Sequence, residues 1–316
     1  MQGVLEGFTI VLLLIATGLA TALLLPSKRE ALAKGLTPLI YYITNPALMF
    51  ILLSETDLRQ VVGVFTPIAL IVAALTAASY ALVARASFKT PWDRLPSAAM
   101  STSYVNAGNI GVPLALYAVG STVPVVSVLL AQLLLISPFY ICLFAVISRR
   151  KQAGATGEAP PPLGRTVLRS IANPLTIMAF LGAVFSFFNL KLPMLIHEPL
   201  QMLGDSSVPL LLFAFGLALY GQKPLSNKAI RAEVYLGSAF KLFIAPVIAW
   251  LAGRFLVGLQ GADLLGVVIM GALPTAQNVL LFSQQFKLSV DVPREVTLLS
   301  TLLTLPVILL ATFLLS

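Results

Sequence analysis

Charge is scarce in this sequence: 10% of its 316 residues are Asp, Glu, Lys or Arg, against roughly a quarter in soluble domains. Water is therefore not the main solvent. Cys142 is the one cysteine, which excludes an intramolecular disulfide and a cysteine-based metal site, and a lone His197 excludes a histidine cluster. Without a Cys/His pairing or a carboxylate pair inside an apolar stretch, no catalytic set can be assembled. No catalytic residue, bound metal or resident cofactor is expected. The segment Met1 to Thr9 has no Lys or Arg and contains Glu6, so it lacks the basic start of a cleaved leader and the first apolar stretch should be retained.

What is abundant is apolar: 58% of the residues are hydrophobic. About 20 apolar residues cross a hydrocarbon layer of roughly 30 Å. Ten stretches of that order lie at 4–25, 34–53, 61–84, 95–118, 121–147, 166–189, 199–221, 233–253, 263–286 and 293–315. Several are continuously apolar, whereas a membrane β-barrel would show short segments alternating with period two. The expectation is an all-α membrane protein of ten transmembrane helices. The net charge of +8 comes from short basic runs between apolar stretches, so an anionic lipid bilayer is the expected partner and nucleic acid is not.

The basic residues also orient the chain. If the connection after the fifth span is cytoplasmic, sixteen of the twenty Lys and Arg fall in inside loops; Arg59, Lys191 and Arg254 fall outside, and Lys241 within a span. The positive-inside rule then places both termini outside and the loop 148–165 in the cytoplasm. That loop, SRRKQAGATGEAPPPLGR, is the longest polar stretch and reads as an extended connector. It divides the chain into halves at 1–147 and 166–316, each with five spans. An odd number per half sends the second half into the membrane the opposite way, the condition for an inverted repeat.

The halves carry matching irregularities. In their second spans a proline follows polar residues, around Asn45–Pro46 and Asp205–Pro209; in their fourth, glycine precedes proline at NAGNIGVP, around Pro113, and MGALP, around Pro274. Proline removes an amide donor and disrupts the preceding turn. In lipid the freed carbonyls need protein, water or a solute. Two interrupted spans at matching places point to a midplane solute site between broken, crossing helices 4 and 9. Half-helix N-termini there would suit an anion. The polar residues beside the breaks are Ser103, Asn106 and Asn109 before Pro113, and Thr275, Gln277 and Asn278 after Pro274. Asn106 and Asn278 are the favoured solute ligands. Ionisable residues within spans are functional candidates by default: Lys241 would add positive potential to an anion path, and Asp205, with Asn45, is the ion-coupling candidate.

These motifs resemble the auxin efflux carrier family, which includes the plant auxin carriers and many bacterial carriers. Asn106 precedes the proline of Gly111, Val112 and Pro113 by seven residues; Ala272, Leu273 and Pro274 match the family's Ala-Leu-Pro; Gly204, Asp205, Phe215 and Gly216 resemble its seventh span. Lys241 with Pro246, and Asn173 with Pro174, complete the pattern. Val279 stands where the plant carriers have a second proline. The resemblance implies a crossover (NhaA-like) transporter fold of two inverted five-helix repeats. It further implies a scaffold of spans one, two, six and seven, a homodimer, and export or exchange of a small organic anion, a malate-like or auxin-like carboxylate, across the bacterial inner membrane. Coupling to H⁺ or Na⁺ stays open, as does a sodium-coupled bile-acid-type symporter on the same fold.

Overall fold

The computed structural model describes residues 2–58, 61–153, 164, 172–221, 225 and 227–315. Among them the chain is helical, with no sheet and a single isolated β-bridge, Val105 to Thr275. In chain order the helices are α1 (Gln2–Leu24), α2 (Arg29–Glu55), α3 (Val61–Phe88), α4 (Leu95–Ser103), α5 (107–119) and α6 (Val123–Lys151). They continue with α7 (Pro174–Phe187), α8 (Met194–Leu219), α9 (Lys228–Val257), α10 (Gly261–Ala272), α11 (Asn278–Gln285) and α12 (Asp291–Leu315). Among the described residues six of these, α2, α3, α6, α8, α9 and α12, are long and apolar enough to cross a membrane alone. Their outward faces are apolar: Leu195 is 90% and Leu24 78% exposed. Such surfaces are at home in hydrocarbon and not in water.

Proline shapes these helices by one repeated device. Ile40–Thr44, Val61–Phe65, Ala107–Gly111, Gln132–Ile136 and Phe240–Ile244 are widened, π-type turns. Each leads directly into a residue followed by proline: Pro46, Pro67, Pro113, Pro138 and Pro246. The ring crowds the carbonyl four residues back, so that turn opens and the helix continues with a local bulge.

The chain forms two compact units, each drawing segments from before and after residues 148–165. Unit 1 is Met1–Gly63, Gly108–Val126 and Ala172–Lys223; unit 2 is Val64–Ala107, Ser127–Ile171 and Pro224–Ser316. In unit 1, α1 packs on the second half of α8 and α7 on the second half of α2. A Cβ on Gly18 would overlap the Phe213 carbonyl, and one on Gly216 that of Ile15. The backbones therefore touch, the close approach that small residues give membrane helices. Unit 2 has a core of Met100, Tyr104, Tyr140, Phe144, Val279 and Phe286, and a second of Tyr80, Leu95, Val234, Val292 and Val296.

The expected extended connector starts later than its composition suggested. Ser148 to Ala153 complete the helix Ser137–Ala153, with Arg150 and Lys151 in its last turn. Those cations face the negative end of the helix, and Lys151 pairs with Asp93 at 3.3 Å. The remainder of the connector, 154–163 and 165, lies outside the described residues.

Candidate functional site

Two interruptions meet inside unit 2. After α4 the backbone extends at Tyr104 (φ −96°, ψ 108°), and after α10 it extends at Leu273 (φ −56°, ψ 149°). The extended pieces lie antiparallel. Asn106 N donates to Pro274 O at 2.8 Å and Ala276 N to Tyr104 O at 3.0 Å. Each break thus repairs part of the other's backbone.

Side chains repair most of the rest. Gln132 Nε2 donates to Val105 O at 2.9 Å. Thr275 Oγ1 donates to Ser101 O at 2.5 Å, and its own amide donates to Ser300 Oγ at 3.1 Å. Thr304 Oγ1 lies 3.5 Å from Ala272 O. Lys241, fully buried, donates from Nζ to Gly271 O at 2.8 Å. Gly271 is in the last turn of α10, where carbonyls lose their helical donors. The Lys241 donor there supplies one of those carbonyls. Among the described residues no carboxylate pairs with Lys241.

The sequence-predicted residues therefore separate. Thr275 and Lys241 are both 0% exposed and already engaged by protein. Pro274 is buried at the break. Asn106 is 7% exposed, and its side-chain amide has no protein partner among the described residues. Gln277 is exposed and Asn278 half-buried, flanking the start of α11. Tyr104, whose hydroxyl shares a 2.7 Å hydrogen bond with Ser137, also contacts Asn278. Gln277 and Asn278 thus sit where α11 begins, and Asn106 sits at the break paired with it.

The remaining candidates belong to unit 1. Asn109 is half-buried and Pro113 buried, both on α5. Asp205 is exposed where α8 bends, and it makes no cap to the following turn. Asn45 is half-buried with an unpartnered Oδ1; the buried Thr44 Oγ1 and Ser207 Oγ are also unpartnered. Sequence reasoning missed the repairing hydroxyls Ser300 and Thr304. It also missed the buried acids Glu233 and Glu295, which stand at the edges of their spans. The signal for the first set was a ladder of Thr297, Ser300, Thr301 and Thr304 along one helix.

A family model described as "Membrane transport protein" matches residues 4–312. The chain belongs to the auxin efflux carrier family. A Rhizobium meliloti (strain 1021) member named "Putative malonate transporter" is 29% identical over 301 residues, 92% of this chain and 89% of that one. The "Lysosomal cholesterol signaling protein" of Mus musculus is 23% identical over 195 residues, 58% of this chain and 22% of its own. "Auxin efflux carrier component 1" of Arabidopsis thaliana is 24% identical over 144 residues, 44% of this chain and 23% of its own. Like its relatives this carrier family member is a multi-pass membrane protein, in keeping with its apolar helices.

Proposed function

We propose that this carrier exports or exchanges a small carboxylate, of the malonate or malate class, across the bacterial inner membrane by alternating access. The observation that carries the reading is the Asn106 amide, which the surrounding protein leaves without a partner although it stands where two broken backbones are otherwise repaired. An amide that the protein leaves free can give its hydrogen bonds to water or to a solute oxygen. Asn278 and Gln277 stand at the N-terminus of α11, whose positive dipole end favours negative charge, although the Val279 and Leu280 amides already donate to Ala276 O and Gln277 O. Lys241 blunts the opposing negative end of α10, so the field at the break favours an anion. In this reading α4–α5 and α10–α11 are the crossing, broken helices of two inverted repeats, with both termini outside. The malonate assignment of a relative covering nearly the whole chain supports the substrate class. Asn109 and Pro113, on α5 in unit 1, stay substrate candidates by the family pattern alone, and Asp205 with Asn45 stay the ion-coupling candidates of unit 1.

The test is thermal stabilisation of the detergent-purified protein across mono- and dicarboxylates, in Na⁺ and in K⁺, with Asn106→Ala beside wild type. A ligand of the native state raises the melting temperature with its concentration over its affinity. A carboxylate that stabilises wild type and not the variant supports the site. Stabilisation by Na⁺ alone would replace this reading with the sodium-coupled symporter.

A further inference from the structure

We infer that α2 and α8 of unit 1 hold a sodium ion at their bends, on the side-chain oxygens of Thr44, Asn45 and Ser207. Thr44 is 2% and Ser207 0% exposed, and Asn45 is half-buried. Thr44 Oγ1, Asn45 Oδ1 and Ser207 Oγ are buried atoms without a hydrogen-bond partner among the described residues. A helical Ser or Thr can return its hydroxyl to a carbonyl one turn back, as Thr37, Ser54 and Ser206 do on these same two helices. Thr44 and Ser207 do not, so their oxygens stay free for another partner.

The packing of the two helices brings these oxygens to one place. α2 and α8 run antiparallel: the first half of α8 packs on the second half of α2, and the second half of α8 on the first half of α2. Their backbones touch where a Cβ on Gly204 would lie 3.1 Å from Leu48 N and Leu48 Cα and 3.4 Å from Ala47 C. Thr44 and Asn45 lie four and three residues before Leu48, and Ser207 three residues after Gly204. Those spacings keep a residue on the same face of its helix. Because the helices run oppositely, both steps lead the same way from the contact. The three residues therefore flank the seam one turn, about 5 Å, beyond it.

Proline adds backbone oxygens at the same level. Pro46 has no amide to give to the π-type turn Ile40–Thr44 before it, and Pro209 has none to give to Asp205 O. Freed carbonyls beside side-chain oxygens are a means by which interrupted membrane helices hold sodium. The ligand set selects the ion. All three side-chain oxygens are neutral, and the acid nearest along the chain, Asp205, is exposed, whereas Ca²⁺ and Mg²⁺ are held through carboxylates. The backbone contact at Gly204 keeps the helices close, so the space one turn away suits a small cation and not K⁺. Each basic side chain on α2 and α8 is engaged elsewhere: Arg29 donates to Tyr220 O at 2.8 Å, Lys34 pairs with Glu30 at 2.7 Å, and His197 with Glu55 at 2.9 Å. Sodium binding here does not depend on the carboxylate reading above; a role in driving transport does.

The test is binding of ²²Na⁺ to the detergent-purified full chain in choline chloride, read by scintillation proximity. Wild type should bind sodium saturably, and K⁺ at the same concentration should not displace it. Thr44→Val and Ser207→Ala lie on different helices, and each removes an oxygen that holds nothing in the protein. Both should keep the wild-type melting temperature in choline and weaken sodium binding about tenfold or more. Ser206→Ala, whose hydroxyl donates to Leu203 O at 2.7 Å, should bind sodium as wild type does. Absence of saturable binding by wild type, displacement by equal K⁺, or undiminished binding by both Thr44→Val and Ser207→Ala overturns the site. Melting curves with malonate in choline and in sodium separate it from the carrier reading. Sodium binding with no effect of malonate in either salt defeats the carboxylate and leaves the sodium site standing; stabilisation by malonate with no sodium binding does the reverse.

Discussion

Two residues of unit 2 show how similar sequence signals divide in the folded protein. Lys241 and Asn106 are both polar groups in apolar spans, yet the first is spent on the backbone of α10 and the second is not. Replacing Lys241 by Met should leave Gly271 O without its donor and destabilise the carrier by roughly 1–2 kcal/mol. A lowered melting temperature without added solute checks this. Asn106→Ala removes no protein hydrogen bond of the side chain, so its melting temperature without solute should match wild type. The variant should differ from wild type only when a carboxylate is present.

At the scale of elements, two backbone devices dominate. Proline opens a π-type turn before it and so bends a span without ending it. Glycine allows α1 and α8 to touch at Gly18 and Gly216. A methyl at either glycine meets backbone oxygen, which cannot rotate away as a side chain would. Gly216→Ala should therefore separate the helices and cost about 3 kcal/mol or more, the upper range of overpacking. Loss of folded protein in a thermal stability screen checks it; Gly35→Ala, where a new Cβ meets nothing within 4 Å, is the neutral comparison.

For the whole molecule, the distribution of Lys and Arg makes one claim that a labelling experiment can decide. A single cysteine at Ala155→Cys, in a Cys142→Ser background, should react with a membrane-impermeant thiol reagent only after the cytoplasmic side is exposed. Labelling from the outside would reverse the proposed orientation. Membrane residence, helical class and the break at Pro274 were legible in the sequence, because hydrophobic length and proline act locally; the other break lies at Tyr104–Asn106, ahead of Pro113, where it was expected. Asn106, Pro274 and Lys241 stood out for the same reason: each is unusual in its own stretch. Ser300, Thr304 and Gln132 were not legible as repair groups. Hydroxyls are common in membrane helices, and the partners of these three lie 25 residues or more away along the chain. Glu233 and Glu295 were passed over because the edge of a span is where a solvated acid is ordinary, and only packing shows that both are buried. The sequence by itself determined the solvent and the helical class. Only the tertiary structure decided which polar groups mend those breaks and which stay available, because hydrogen bonds such as Thr275 to Ser101 join residues that local pattern cannot pair.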